Sequence, residues 1–316
     1  MPASGICHIE RGPTRAKSAA DMMTAGLDRQ VDVRREEQLA QEETPVVVYF
    51  GIGRSRSQAA IADIFAGLRQ WRLWISLASL DVKQRYRRAV LGPFWITISM
   101  SILVLTLGTV YAGLFKQDVH SFLPYIAAGF IVWNFCTGTI NESTLAFVQA
   151  DGLIKQGGLP LSLHIFRTIF RNFIINAHNL AVMVLLYIWQ PALLNWRLAL
   201  LVPGLALMLA NFAWISIIIA VFCTRFRDLP PIIANVLQIL FFVTPVMYRP
   251  ETLPEHLSWF VKLNPFYYLV EAVRAPLLGH APPAAAYAVL IFCAIGGSLL
   301  TFWFFGRTRA RIAYWL

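Results

Sequence analysis

Glu142 is the one acid well inside an apolar stretch of this chain, and in another such stretch His178 has Asn176 and Asn179 beside it. A carboxylate buried in that way must face a bundle interior, a water-filled path or a partner, and an imidazole can relay a proton or help a transferase reaction. Each of those chemistries needs more acids or histidines on the same face. Interhelical hydrogen bonding is the alternative for both, and neither residue alone supports proton-coupled chemistry. Cys7, Cys136, Cys223 and Cys293 lie far apart and three of them fall in apolar stretches, so neither a disulfide framework nor a metal site is indicated. No phosphate-binding glycine loop ending in Gly-Lys-Ser or Gly-Lys-Thr and no His-Glu-x-x-His is present. The expectation is a chain with no catalytic residues, no metal and no cofactor of its own.

Other residues suit binding rather than reaction. Arg85, Tyr86, Arg87 and Arg88 form a basic run that can hold anionic lipid headgroups, at about 1 kcal/mol per charge, or simply anchor the topology. Arg225, Arg227 and Asp228 precede Pro230 and Pro231, which must open a new helix because a proline has no N–H to donate. That group is either an anchor with an aspartate cap or a contact for a partner. Between Gly152 and Pro160, the apolar Leu153, Ile154 and Leu159 and the cation Lys155 alternate with glycines. This suits a short helix docked in another protein, or an ordinary turn.

The elements that must position these residues are long and apolar. Residues 90–115, 172–196, 198–224, 229–248 and 281–306 contain no Asp, Glu, Lys or Arg, and residues 122–150 carry one acid, Glu142. At about 1.5 Å per residue against roughly 30 Å of hydrocarbon, each can cross a bilayer. With 57% apolar and 14% charged residues, the chain reads as an all-α polytopic membrane protein of six transmembrane helices. The net charge of +10 is spread over the ends of the apolar spans, which argues for membrane orientation and against nucleic acid.

Orientation follows from those ends. Placing the N-terminus in the cytoplasm puts Lys83, Arg85, Arg87, Arg88, Lys155, Arg167, Arg171, Arg225, Arg227, Arg307, Arg309 and Arg311 inside. Only Lys116, Arg197, Arg249, Lys262 and Arg274 fall outside, so both termini are expected to be cytoplasmic. Residues 1–45 are polar, mixed in charge and without a signal-peptide core, and are expected to form a disordered cytoplasmic extension. Residues 46–88 form a cytoplasmic interface segment, in which Ile61, Ile64, Phe65, Leu68, Trp71 and Ile75 recur at helical spacing. An amphipathic helix at the membrane surface is predicted, with Trp71 and Trp74 at headgroup depth. Residues 89–316 form the permease domain. Within it, Asn264 can cap a helix that begins at Pro265 and ends at Gly279, with Glu271 and Arg274 three apart and able to pair. This helix is either re-entrant or lies on the outer surface.

Several of these patterns, in this order, resemble the membrane subunit of an ATP-binding-cassette exporter of the type-2 class, in its polysaccharide and lipopolysaccharide branch. They are Asp81 with Arg85, Tyr86, Arg87 and Arg88, then Leu91-Gly92-Pro93-Phe94-Trp95, Leu159-Pro160, and Arg225-Phe226-Arg227-Asp228. Phe241-Phe242-Val243-Thr244-Pro245 and Asn264-Pro265 with Glu271, Arg274, Pro276, Leu277, Leu278 and Gly279 complete the set. The resemblance implies a homodimer that binds two copies of a soluble ATPase, with ATP and Mg in that partner. It also implies a bacterial inner-membrane location and a lipid-linked polysaccharide of the O-antigen or capsule type as cargo. In its light Gly152, Leu153, Ile154, Lys155, Leu159 and Pro160 become the ATPase-coupling helix, and Arg85 to Arg88 with Arg225, Arg227 and Asp228 the cytoplasmic interface. Tyr111, Phe115, Tyr125, Trp133, Glu142, Pro245, Asn264, Glu271 and Arg274 become channel or gate candidates. Aromatic residues in that set either form an interfacial belt or stack on sugar rings. Other cargoes within the same fold are a drug, a small lipid or a teichoic-acid-like polymer. A secondary transporter or flippase would call for an internal repeat or more intramembrane charge, and neither is evident.

Overall fold

A computed structural model describes residues 56–87, 92 and 94–316. Every regular element among them is helical: α1 (Arg56–Arg69), α2 (Trp71–Tyr86), α3 (Phe94–Leu114), α4 (Val119–Ser143), α5 (Asp151–Gln156), α6 (Leu161–Trp189), α7 (Leu201–Arg225), α8 (Leu229–Val243), α9 (Ser258–Leu263), α10 (Pro265–Leu277) and α11 (Ala284–Trp315), with short 3-10 turns between some of them. The all-α expectation holds for these residues. The readings placed on residues 1–45, on 46–55, on 88–91 and on Pro93 lie outside them.

Five helices are long and apolar enough to cross a membrane: α3, α4, α6, α7 with the turn before it, and α11. The stretch expected as a further span, residues 229–248, is helical only over Leu229–Val243. Its 15 residues reach about 22 Å, short of a full hydrocarbon core. The physical reason is Pro245, which disfavours helical backbone at Thr244 before it and has no N–H to continue the ladder. Thr244 is extended, with φ −85° and ψ 130°.

The bundle has a centre and a rim. In its most apolar window α4 is 78% buried, whereas α3 and α11 are 22% buried. α3, α6, α7 and α10 pack around α4, and α11 lies mainly against α7. Lipid-facing side chains need only be apolar, while α4 must fit neighbours on every side. Asn211 shows how a polar group is accommodated between two such helices: its Nδ2 donates to Leu290 O of α11 (3.1 Å) and to Leu207 O (2.9 Å), while its Oδ1 accepts Trp214 Nε1 (3.1 Å).

The predicted amphipathic helix is two helices that break at Gln70, and its inward face is not the apolar one. Ala60, Asp63 and Gly67 are buried, while Ile61, Phe65, Leu68 and Trp71 point away from the protein. Small and polar residues therefore make the close helix contacts and the greasy stripe is left for the surroundings. Trp74 packs on α6, 5.2 Å edge-on from Phe170. Between residues 249 and 280, α10 begins at Pro265 with Asn264 Oδ1 accepting the Phe266 amide (3.0 Å). Residues 272–277 of α10 are all buried, against α4, α7 and α11. Of the two readings for this helix, the one that inserts it into the bundle fits.

Candidate functional site

Two pairs of residues at helical spacing meet at one end of the bundle. Asp81 and Arg85 lie one turn apart on α2, Arg167 and Arg171 one turn apart on α6, so each pair lines one face. Arg167 grips Asp81 with Nε (2.7 Å) and Nη2 (2.5 Å), and Arg171 Nη1 reaches the same carboxylate at 3.2 Å. Arg171 Nε also donates to Glu142 (2.8 Å), as do Arg85 Nη2 (2.7 Å) and Asn172 Nδ2 (2.6 Å). A Cβ on Gly138 would come within 2.7 Å of Asn172 Oδ1, so glycine there lets α4 approach α6 closely enough for this bond. Three guanidinium groups face two carboxylates, and the cluster keeps one positive charge in excess. Burial pushes the Asp81 carboxyl up, but the hydrogen bond and charge of Arg167, and then those of Arg171, outweigh it and hold the group below its ordinary value.

Glu142 is thus in the last turn of α4 and not well inside a span. The helix ends at Ser143, before the 3-10 turn at Val148–Ala150, although the apolar pattern runs on to residue 150. His178 holds to its own helix, Nδ1 lying 2.8 Å from Ile174 O, and its carbonyl accepts Thr97 Oγ1 of α3 at 2.9 Å. Both residues are occupied by contacts between or within helices.

The same end carries the segment between α4 and α6. α5 is a six-residue helix with Asp151 and Lys155 paired at 2.9 Å, Leu153 exposed and Ile154 turned onto the core. It stops because Gly157 and Gly158 take φ of +76° and +87°, a region that side-chain-bearing residues rarely enter. Nothing stands within 4 Å of where a Cβ would be on Gly152, Gly157 or Gly158, so these glycines face open space, while Ile154 holds α5 to the core and buried Pro160 starts α6. Arg225, at the end of α7, lies 5.3 Å from the rings of both Phe226 and Trp315. Arg87, Arg227 and Asp228 are exposed, Tyr86 is half-buried, and the Asp228 side chain makes no capping bond to α8.

At the opposite end one cation organises the site. Arg274 is 1% exposed. Its Nη1 donates to Pro245 O (2.6 Å), its Nε and Nη2 to Glu271 (3.1 and 2.5 Å), and its guanidinium lies 4.1 Å from the Tyr125 ring centroid. Tyr125 in turn donates toward Tyr248 O (3.0 Å) and Pro245 O (3.3 Å), and Asn264 Nδ2 donates to Thr244 Oγ1 (2.7 Å). The carbonyls freed by the break after α8 are therefore met by α4 and α10. A cleft of about 630 Å³ opens beside this knot, lined by Asp118, His120, Gln190, Arg249, Glu251 and Glu271 among others.

The structure brings Tyr125, Pro245, Asn264, Glu271 and Arg274 together. The Tyr111 and Phe115 rings lie 5.7 Å apart in a tilted contact at the end of α3, and Phe122 links them to Tyr125. Trp133 stands apart from that belt, buried at the middle of α4 against Phe241 and Phe266. Sequence reasoning treated Arg167 and Arg171 only as topology charges and gave Thr244 and Tyr248 no role of their own. The four-residue spacing of both charged pairs was the available signal. Among the described residues no three His, Cys, Asp or Glu side chains gather as metal ligands.

Apolar spanning helices around one buried helix, with charge confined to the two ends, define a multi-pass membrane protein. The family described as ABC-2 type transporter matches residues 72–278, from the start of α2 to just beyond α10. The chain belongs to this family and is a membrane subunit of transport. Among its relatives is the O-antigen export system permease protein RfbA of Myxococcus xanthus, 25% identical over 224 residues that cover 69% of this chain and 85% of that protein. Two proteins of the same description from Klebsiella pneumoniae are 19% and 20% identical, over 76% and 64% of this chain and 93% and 78% of their own lengths.

Proposed function

We propose that this chain is the permease of an ABC exporter that moves a lipid-linked polysaccharide, of the O-antigen or capsule type, outward across a bacterial inner membrane. The family match over residues 72–278 carries the reading, and the relatives' export of O-antigen supports the cargo. The chain works as a homodimer with two soluble ATPase subunits, which supply ATP and Mg. Six crossings with both termini in the cytoplasm keep the basic flanks inside, with residues 229–248 crossing as α8 and its extended continuation.

In this reading α5 is the coupling helix. Leu153 offers an apolar contact and Lys155 a charge to the ATPase, and Gly157 and Gly158 let the helix turn without distorting α6. Arg85, Arg87, Arg225, Arg227 and Asp228 flank it on the cytoplasmic side, and the outward apolar stripe of α1 rests in the membrane interface. The knot around Arg274 belongs to the outer end, where Tyr125, Pro245, Asn264 and Glu271 hold the wall of the path.

Two experiments test the two halves. Deleting residues 153–159 abolishes stimulation of the partner's ATP hydrolysis while membrane insertion persists, and normal transport after the deletion discards the coupling role. Removing the protein from a producing cell leaves lipid-linked polysaccharide on the cytoplasmic face, and an unchanged surface polymer discards the cargo.

A further inference from the structure

α6 begins in a way that its own sequence cannot complete. Pro160 occupies the capping position and provides no side-chain acceptor, so the first amides of the helix need a partner from elsewhere. Asp63 of α1 provides it: its Oδ1 accepts the Ser162 amide (3.0 Å), its Oδ2 the Leu161 amide (3.3 Å), and Ser162 Oγ donates back to the Asp63 carbonyl (2.8 Å). A carboxylate is well placed here, since the start of a helix carries partial positive charge. The same Oδ2 accepts Arg309 Nε of α11 at 2.9 Å, and the Asp63 side chain is only 1% exposed.

Two glycines make room for this junction. A Cβ on Gly67 would overlap Ser162 Oγ, and one on Gly306 would sit 2.8 Å from Arg56 O. One carboxylate therefore ties together α1, the start of α6 and the end of α11, immediately after Leu159 and Pro160. On the other side of those two residues lie Gly157 and Gly158, where an added Cβ would meet nothing within 4 Å.

We propose that Asp63 is a positioning residue for energy coupling: it fixes the far side of the glycine joint so that movement of α5 is passed to α1, α6 and α11 as one body. This rests on the coupling role proposed for α5. A joint followed by an unheld helix start would absorb the movement of α5, whereas one followed by a clasp transmits it. The clasp touches neither cargo nor nucleotide, so its loss separates hydrolysis from transport instead of stopping both.

The test uses the whole complex, permease with its ATPase, in cells and in vesicles supplied with lipid-linked polysaccharide extracted from the producing strain. Asp63→Asn keeps an acceptor for one of the two amides and loses the charge and the second acceptor, whereas Arg309→Gln leaves both amides capped. Each lowers cargo moved per ATP hydrolysed about tenfold, with the amount of assembled complex and its ATP hydrolysis near wild type, and Arg309→Lys recovers most of the loss. Export and hydrolysis falling together, in proportion to folded complex, would make the clasp merely structural and overturn the proposal. Unchanged export per ATP would overturn it as well. Should Asp63→Asn fail to fold, Arg309→Gln and its lysine rescue decide the matter. If the wild-type complex itself shows no ATP-dependent export, the functional reading has failed and not the clasp.

Discussion

The two polar ends of the bundle handle buried charge in opposite ways. At the Glu142 end two carboxylates, on α4 and α2, are shared among Arg85 of α2 and Arg167, Arg171 and Asn172 of α6, and the charged side chains are between 10% and 45% exposed. At the Arg274 end a single cation, almost wholly buried, has one carboxylate, one carbonyl and one aromatic ring. A shared, partly wet network can exchange partners when its helices shift. A sealed guanidinium cannot, because any displacement leaves a charge without water or counter-charge. Under the proposed function the first arrangement suits an end that moves with the ATPase, and the second a wall that stays.

Substitutions can break this contrast in order of severity. Arg274→Ala leaves Glu271 without its counter-charge and Pro245 O with only the longer Tyr125 contact, and is expected to cost about 3–5 kcal/mol, read as loss of monodisperse protein in detergent. Arg274→Lys does not rescue it, since an ammonium cannot reach three acceptors lying in different directions. Gly204→Ala, where a Cβ would press on the Ala272 carbonyl, forces α7 and α10 apart for about 1–3 kcal/mol, seen as a lowered thermal midpoint. Glu142→Gln, which weakens three donors at once but leaves Asp81 to Arg167 and Arg171, costs about 1–3 kcal/mol. Arg85→Ala, with a side chain 45% exposed, costs under about 1 kcal/mol. If Arg85→Ala proved as damaging as Arg274→Ala, the distinction between a shared and a sealed charge would be lost.

Acid sharpens the same contrast. The Asp81 carboxyl has a lowered value in the folded protein, so its stabilising contribution is complete above the ordinary carboxylate value of about 4 and is lost as pH falls through the lowered one. Stability measured in detergent is accordingly flat between about pH 5 and 8 as far as this group is concerned. A midpoint that fell between pH 7 and pH 5 on account of Asp81→Asn-sensitive titration would contradict the assigned pairing.

Much of this was legible in the residues. Uncharged runs of twenty or more marked the spans of α3, α7 and α11 and the later part of α6, which starts at Leu161 and carries Arg167 and Arg171 ahead of its uncharged run, and Asn264-Pro265 marked the start of α10 because a cap and an N–H-free first residue act locally. The length of α8 was not legible, since an apolar run says nothing of where Pro245 halts the helix. The apolar stripe of α1 was legible and faces outward, but the residues that meet the protein were not, because close helix packing there selects Ala60 and Gly67 and not hydrophobicity. Glu142 looked interior because apolar residues continue past it, although α4 itself ends at Ser143. The joining of Asp63 to Arg309, 246 residues apart, left no mark on either local pattern.

The central claim is that these helices are a passive path driven by a separate ATPase docked against α5. The direct measurement is movement of lipid-linked polysaccharide across vesicles holding the purified chain alone or with that ATPase and ATP. The account predicts movement only when both proteins and ATP are present. Full-rate movement by the chain alone would contradict it.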